Sequence, residues 1–260
     1  MLKINPQKET EKIIEFIKTI LKKEGFGKVV IGLSGGIDSI TSFYLLKRVL
    51  DSKNIIVAYL YYSKIKDEDL ENVLKEAKIP ARNIHRLSIE DVTDKVISLL
   101  KIDPAVDQVR AGNIMARVRM IILFDLAKKH QALVCGTENK SEHLLGYFTR
   151  FGDEASDFEP IKYLFKTQVY QLASYLGIPK SIIDKKPTAG LWQGQTDEEE
   201  LGFSYQEADQ VLYLYFEKKL KVSEIENRGL KKADRIINWV SKNKFKLIVP
   251  YNLSASASIL

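Results

Sequence analysis

The sequence predicts an α/β fold built on a doubly wound parallel sheet, followed by a helical C-terminal portion. Three observations predict it. Short β-branched apolar runs alternate with amphipathic stretches of ten or more residues through the first 135 positions, the pattern of parallel strands joined by helical crossovers. The first such run, Val29-Val30-Ile31, stops at Ser34-Gly35-Gly36 and a helical pattern follows at once. After Phe151 the strand signal fades and helical patterns alone remain.

The elements follow in order. Ile13, Ile14, Phe16, Ile17, Ile20 and Leu21 recur at helical spacing over residues 11–21, and Gly25 and Gly27 end that helix. Residues 28–33 read as the first strand, 38–50 as a helix and 54–61 as the second strand. Residues 67–77 form a helix with acids in its first turn, where the helix dipole favours them. Residues 83–89 are the third strand and 91–100 a helix. A long helix spans 113–130, and 132–135 are the fourth strand, with the polar stretch Gly136 to Glu142 opening another helix. Beyond it, 166–176, 205–220 and 233–243 read as helices, before a polar Ser/Ala tail. No internal repeat, low-complexity linker or domain boundary is visible, so residues 1–260 read as one domain.

Composition narrows the class. Of 260 residues 45% are hydrophobic, enough for a sizeable core. Runs such as Ile55 to Leu60 are far shorter than a membrane span, and the charged N-terminus lacks the apolar stretch of a secretory signal. Cys135 is the single cysteine and reads as a small hydrophobe in a buried strand; with no internal disulfide available, a reducing cytoplasm fits. The three histidines have no zinc-ligand spacing. A net charge of +6 suits polyanionic ligands. The Lys-Lys pairs are interspersed with acids, which reads as solvated faces and not as a nucleic-acid stripe.

The loop from Gly32 to Ser39 carries the chemistry. Adjacent glycines let the backbone approach an anion, and the following helix supplies unpaired N–H groups and the positive end of its dipole. Ser34 and Ser39 add hydroxyls, and Asp38 beside a phosphate cradle points to Mg²⁺ between them. No lysine follows the glycines, so this is not a Walker-type loop. In a doubly wound sheet ligands sit outside the C-terminal strand ends. The loops after the first and fourth strands are therefore expected to meet over one ligand, with Glu142 as a second carboxylate for the metal, against the alternative that Gly136 to Glu142 is only an N-capped helix start.

Ser34-Gly35-Gly36-Ile37-Asp38-Ser39 resembles the pyrophosphate loop of the ATP pyrophosphatases, which cleave ATP between its α- and β-phosphates and adenylate a substrate. Further blocks sharpen the likeness: Gly136 to Glu142, Gly146-Tyr147-Phe148-Thr149-Arg150-Phe151-Gly152-Asp153, Lys166-Thr167-Gln168-Val169, Pro187-Thr188-Ala189 and Gln195-Thr196-Asp197-Glu198 resemble the ammonia-dependent NAD synthetases. The resemblance covers residues from about 10 to about 250 and implies an adenine nucleotide alpha hydrolase-like fold of the ATP pyrophosphatase type. It implies amidation of nicotinic acid adenine dinucleotide by ATP and ammonia through an acyl adenylate, giving NAD, AMP and pyrophosphate.

Site residues carry over on the same ground. Gly32, Leu33, Ser34, Gly35, Gly36, Ile37, Asp38 and Ser39, with Thr137, Lys166 and Thr188, match ATP contacts. Asp38 and Glu142 match magnesium ligands. Arg117, Arg150, Asp157, Asn243 and Lys244 match contacts to the deamido dinucleotide. Lys166 matches a cation at the α-phosphate, against the alternative of an ordinary helix-start lysine. Asp153 matches a carboxylate near the reacting amide, against the alternative of a structural salt bridge. The resemblance also implies a homodimer and no glutaminase domain.

The sequence departs from the family pattern at three places. Asp153-Glu154-Ala155-Ser156-Asp157 lacks the paired glycines, Tyr61-Tyr62-Ser63 lacks the proline signature, and Asn243-Lys244 stands for His-Lys. Rival readings are an RNA-thiolating or RNA-amidating enzyme with the same loop and a non-catalytic ATP sensor.

Overall fold

The computed structural model describes residues 2–63, 67–192 and 194–251; the Ser/Ala tail lies outside them. The chain runs α1 (Pro6–Glu24), β1 (Val29–Gly32), α2 (Ile37–Leu46), β2 (Ile55–Tyr61), α3 (Glu68–Glu76), β3 (Ile84–Ser88), α4 (Glu90–Leu99), α5 (Gln108–His130), β4 (Leu133–Cys135) and α6 (Lys140–Leu145). It continues through α7 (Lys166–Leu176), α8 (Lys180–Ile183), α9 (Asp197–Leu201), α10 (Tyr205–Leu212), α11 (Val222–Glu226) and α12 (Ala233–Asn243).

The four strands form one parallel sheet in the order β3-β2-β1-β4. Successive strands are added on one side of β1 up to β3 and on the other side at β4, so the switch point lies between β1 and β4. Val30 pairs with Ile56 on one side and Val134 on the other. Side chains of a strand alternate between faces. Val29 and Ile31 accordingly pack with α1, α2, α3 and α7. Val30, Ile56 and Val134 pack with Met115, Val118 and Leu126 of α5. Both faces are covered, as a parallel sheet requires.

Local chemistry sets the helix ends. Asn5 caps α1 by accepting from the Lys8 backbone N–H at 3.1 Å, Pro6 occupies the first turn and Gly25 closes it in the left-handed region. This Asn-Pro start places the helix five residues earlier than the apolar spacing alone predicts. Lys22–Lys23 and Lys128–Lys129 fall in the last turns of α1 and α5, where cations complement the dipole.

Two predicted helices are cut short. α2 ends at Leu46, where the backbone bonds shift to a three-residue spacing: Arg48 N–H donates to Leu45 at 3.1 Å and Val49 N–H to Leu46 at 3.0 Å. α10 ends at Leu212 and the chain winds as a π-helix over Tyr213–Glu217. Three aromatics in four residues occupy that turn; Tyr215 and Phe216 meet edge-on at 5.0 Å and Tyr213 meets Phe165 at 6.5 Å.

The helical C-terminal portion has its own core. Leu201, Phe203, Val211, Leu212, Ile225 and Ile236 pack together with Leu145 and Phe165. α6 and α7 are flanked by both cores: Leu145 belongs to the helical one, while Val169 and Leu172 belong to the sheet. That position brings the C-terminal helices against the switch point. Among the described residues, no helix is long and apolar enough to cross a membrane.

Candidate active site

The loop after β1 is held open by its own serines. Ser39 hydroxyl donates to the Gly36 carbonyl at 3.0 Å and lies 3.2 Å from the Ser34 hydroxyl, which accepts from the Gly36 N–H at 3.3 Å. Gly35 has φ 81°, which strains any other side chain, and a Cβ there would meet Asp67 Oδ2 at 2.3 Å unless that carboxylate moved. Gly36 is the N-cap of α2 and makes no side-chain cap bond. The first-turn amides of α2 lack intrahelical acceptors and present the donors an anion needs.

Opposite this loop stands the start of α6. Asn139 and Glu142 form a capping box: Asn139 Oδ1 accepts from the Glu142 N–H at 3.0 Å and Glu142 Oε2 accepts from the Asn139 N–H at 3.4 Å. The Asn139 amide also donates to Asp38 Oδ1 at 3.0 Å, joining the two loops directly. Asn139 is fully buried (0%). We expect Asn139→Ala to cost about 2 kcal/mol in urea unfolding, combining a lost cap with an unpaired buried acceptor. A variant within 0.5 kcal/mol of the parent, a typical surface effect, would contradict this bridge.

Lys166 is the first residue of α7 and its side chain is buried (3% exposed). Its ammonium donates to Asp38 Oδ2 at 2.5 Å and to Glu142 Oε1 at 3.0 Å, and lies 5.1 Å from the centre of the Tyr205 ring. Burial disfavours the ammonium, yet Asp38 and Glu142 outweigh it and raise its pKa. Burial pushes Glu142 up to about 8, with Asp38 and Asp197 adding to the shift and Lys166 opposing it. Asp197, at the start of α9, is buried; its carboxylate accepts from Tyr147 at 3.3 Å and Tyr205 at 3.1 Å.

The arrangement fits a hard dication. Asp38 and Glu142 face one point, now held by a single ammonium, and the raised pKa of Glu142 shows that one positive charge does not offset the burial of both carboxyl groups. Carboxylate oxygens are the donors Mg²⁺ prefers. Among the described residues no three His, Cys, Asp or Glu side chains form a metal cage. A Mg²⁺ shared with nucleotide phosphates needs only one or two protein carboxylates.

The remaining predicted site residues are spread over several places. Thr137 lies half-buried between β4 and Asn139, next to the bridged loops. Thr188 is in an exposed turn, where its hydroxyl accepts from the Gly190 N–H at 3.0 Å.

Arg117 and Arg150 come together: the Arg117 guanidinium donates to the Arg150 carbonyl at 3.3 Å, and the Arg150 guanidinium lies 5.4 Å from the Phe245 ring. Asp153 accepts from the Thr149 N–H at 2.8 Å and closes the same turn. Asp157 accepts from the Val134 N–H at 2.6 Å along the β4 edge. Asn243 packs on Gly146 and donates to the Trp239 carbonyl at 3.0 Å, while Lys244 is exposed. It is Lys246 that reaches inward, donating to the Gly146 and Phe148 carbonyls at 2.8 and 3.1 Å. Asn139 as a bridge, Asp197, Tyr205 and Lys246 had no role in the sequence reading. Asp197 and Asn139 lie within the stretches that carry the resemblance, but nothing local marks that Asn139 reaches Asp38 across 101 positions or that Asp197 is buried.

A parallel α/β sheet with uncapped helix amides and paired carboxylates at its switch point defines a nucleotide-binding protein. The NAD synthase family model matches residues 9–250, and the chain belongs to that family. It is 40% identical over 254 residues to an NH(3)-dependent NAD(+) synthetase of Fusobacterium nucleatum, covering 96% of each chain. Among solved structures it resembles an NMN synthetase from Francisella tularensis (TM-score 0.82, 32% identity, 96% of this chain and 99% of that one). It also resembles an NH3-dependent NAD synthetase from Campylobacter jejuni (TM-score 0.80, 31% identity, 96% and 100%). The doubly wound fold read from the sequence is the fold of these proteins.

Proposed function

We propose that the protein is an ammonia-dependent NAD synthetase, a ligase that uses ATP to amidate nicotinic acid adenine dinucleotide. One observation carries the reading: Lys166 joins Asp38 of the phosphate loop to Glu142 of the loop after β4 at the sheet's switch point. That is where a triphosphate cradle, a metal and a developing negative charge have to meet.

The chemistry follows from that geometry. A carboxylate and ammonia do not condense at neutral pH. The nicotinate carboxylate attacks the α-phosphorus of ATP, pyrophosphate leaves, and an acyl adenylate results. Ammonia then attacks the acyl carbon and AMP departs with the amide formed. The α2 amides and the Ser34 and Ser39 hydroxyls hold the leaving pyrophosphate. Lys166 offsets charge gathering at the α-phosphate, in a site where burial strengthens the interaction. Asp38 and Glu142 would hold Mg²⁺, which would supply charge neutralisation on the phosphates. Arg117, Arg150, Asp153, Asp157, Asn243 and Lys244 are read as contacts to the dinucleotide and its reacting amide, and Thr137 and Thr188 as contacts to ATP.

The test is to mix protein, ATP, Mg²⁺ and ammonium with the deamido dinucleotide, and separately with nicotinic acid mononucleotide. The reading expects NAD and AMP in equal amounts from the dinucleotide, with the mononucleotide slower. Preference for the mononucleotide would instead align the protein with the Francisella neighbour. ATP binding without AMP or pyrophosphate release would favour a sensor.

Ammonia is read as the nitrogen source, with residues 1–260 acting as one synthetase domain. Cys135 is buried in β4 and its burial raises the thiol pKa well above the usual range, the opposite of an activated nucleophile. Glutamine should not replace ammonium, and Cys135→Ser should keep amidation largely intact. Glutamine-dependent NAD formation by the pure protein, abolished in that variant, would overturn the assignment. The exposed Val109 and Ile121 side chains of α5 are read as part of a homodimer contact, which light scattering tests.

A further inference from the structure

Asp209 lies in the middle of α10, outside every motif that carries the site, and is fully buried (0%). Its Oδ1 accepts from the Ser141 hydroxyl, and its Oδ2 accepts from the Thr167 backbone N–H at 2.8 Å. The Ser141 oxygen in turn accepts from the Lys166 backbone N–H at 2.8 Å. Ser141 immediately precedes Glu142, and Thr167 immediately follows Lys166. One carboxylate therefore clamps the first turns of the two helices that present the metal-side carboxylate and the cation.

Such a carboxylate is costly unless the fold uses it. Asp209 has no ion pair among the described residues. Burial raises its pKa, while the bonds from Ser141 and Thr167 pull it down. The amide at the start of the eleven-residue α7 and that helix's dipole make the ionised form tolerable. Nothing in the packing of α10 calls for a charge here. Its neighbours Ala208, Val211 and Leu212 already supply the apolar contacts of the helical core.

We propose that Asp209 is a positioning residue for adenylation, fixing α6 and α7 in the register that lets the Lys166 ammonium reach Asp38 and Glu142 together. This rests on the synthetase reading for its kinetic consequence but not for its geometry. An asparagine in its place has one acceptor oxygen and one amide donor. If the amide faces Thr167, two N–H groups oppose each other. If it faces Ser141, the serine oxygen accepts from both sides and its own proton loses its acceptor. The first orientation breaks the α7 arm; the second keeps a bond on each arm but strands the buried Ser141 proton, and both do so with almost no change of volume.

The test compares wild type, Asp209→Asn, Lys166→Met and the double variant. Asp209→Asn should lower kcat by on the order of 10-fold to 10²-fold, the scale of a misplaced catalytic group. KM for ATP should change less than about threefold, far less than that positioning effect. In the Lys166→Met background the same substitution should cost little more, because the group it positions is already gone. An equal fold-loss in both backgrounds would mean a merely structural role and overturn the proposal.

A second readout needs no turnover. In protein labelled with ¹⁵N in its lysine side chains, the Lys166 ammonium resonance is identified by its absence from Lys166→Met. It should shift or broaden in Asp209→Asn, with circular dichroism confirming the fold. An unmoved resonance overturns the proposal. If wild type makes no NAD, the synthetase reading fails, and this resonance still decides the positioning. If Asp209→Asn does not fold, Ser141→Ala, which removes the α6 arm together with the acceptor of the Lys166 N–H, must give the same shift, and an unmoved resonance there overturns the proposal as well.

Discussion

Replacing Lys166 by methionine is expected to lower turnover by on the order of 10²-fold or more, the scale of losing a preorganised electrostatic contact. ATP affinity should fall less. The stem of the side chain is kept and only the charge goes, so the loss reports charge stabilisation. An interaction stronger in the transition state than in the ground state acts on kcat more than on binding. The side chain is 3% exposed and is shared by two carboxylates, which rules out an ordinary solvated helix-start lysine. The same burial predicts a folding cost. Removing one partner of a buried ion pair leaves the other uncompensated, at roughly 3–5 kcal/mol. Kinetics should therefore be read on protein shown folded by circular dichroism at the assay temperature. Turnover within about threefold of wild type, far below the electrostatic scale, would remove Lys166 from the chemistry.

The sequence exposed the pieces of this site better than their joining. The strand, Ser-Gly-Gly turn and helix from Val29 onward are local: a continuous β-branched run, adjacent glycines and a helical stripe lie within twenty positions. The α7 boundaries also match the apolar spacing, because Val169, Leu172, Ala173 and Leu176 form one buried face.

What joins them is not local. Lys166 meets Asp38 across 128 positions, and Asn139 meets Asp38 across 101. Nothing in the pattern around Asn139 separates a helix cap from a bridge, since both use the same side-chain amide. The second core was invisible for a related reason. α9 and α11 are five residues each, too short for a helical period to show. Asp209 reads in sequence as a polar residue in an amphipathic helix. Only the packing of α10 shows that it faces inward.

Loss of the metal is the second large effect expected, and it should look different from loss of the cation. Asp38→Asn and Glu142→Gln keep side-chain volume and leave Lys166 one carboxylate each to pair with, so folding should suffer less than in Lys166→Met. Glu142→Gln also keeps an oxygen to accept from the Asn139 N–H and so preserves the capping box. What each removes is half of the negative charge that draws a dication to the phosphate loop. Turnover should fall by on the order of 10²-fold at low Mg²⁺, because charge neutralisation on the phosphates is lost with the metal. The Mg²⁺ concentration giving half-maximal rate should rise, since fewer hard oxygen donors remain. Lys166→Met predicts the reverse signature. Its carboxylates remain, with no ammonium competing for them, so its Mg²⁺ requirement should be unchanged or lower while its maximal rate stays depressed. Titrating Mg²⁺ against initial rate in the three variants separates the two roles. Near-normal rates for both carboxylate variants at the wild-type Mg²⁺ requirement would remove Asp38 and Glu142 as the metal's ligands, and leave their contact with Lys166 as a structural ion pair.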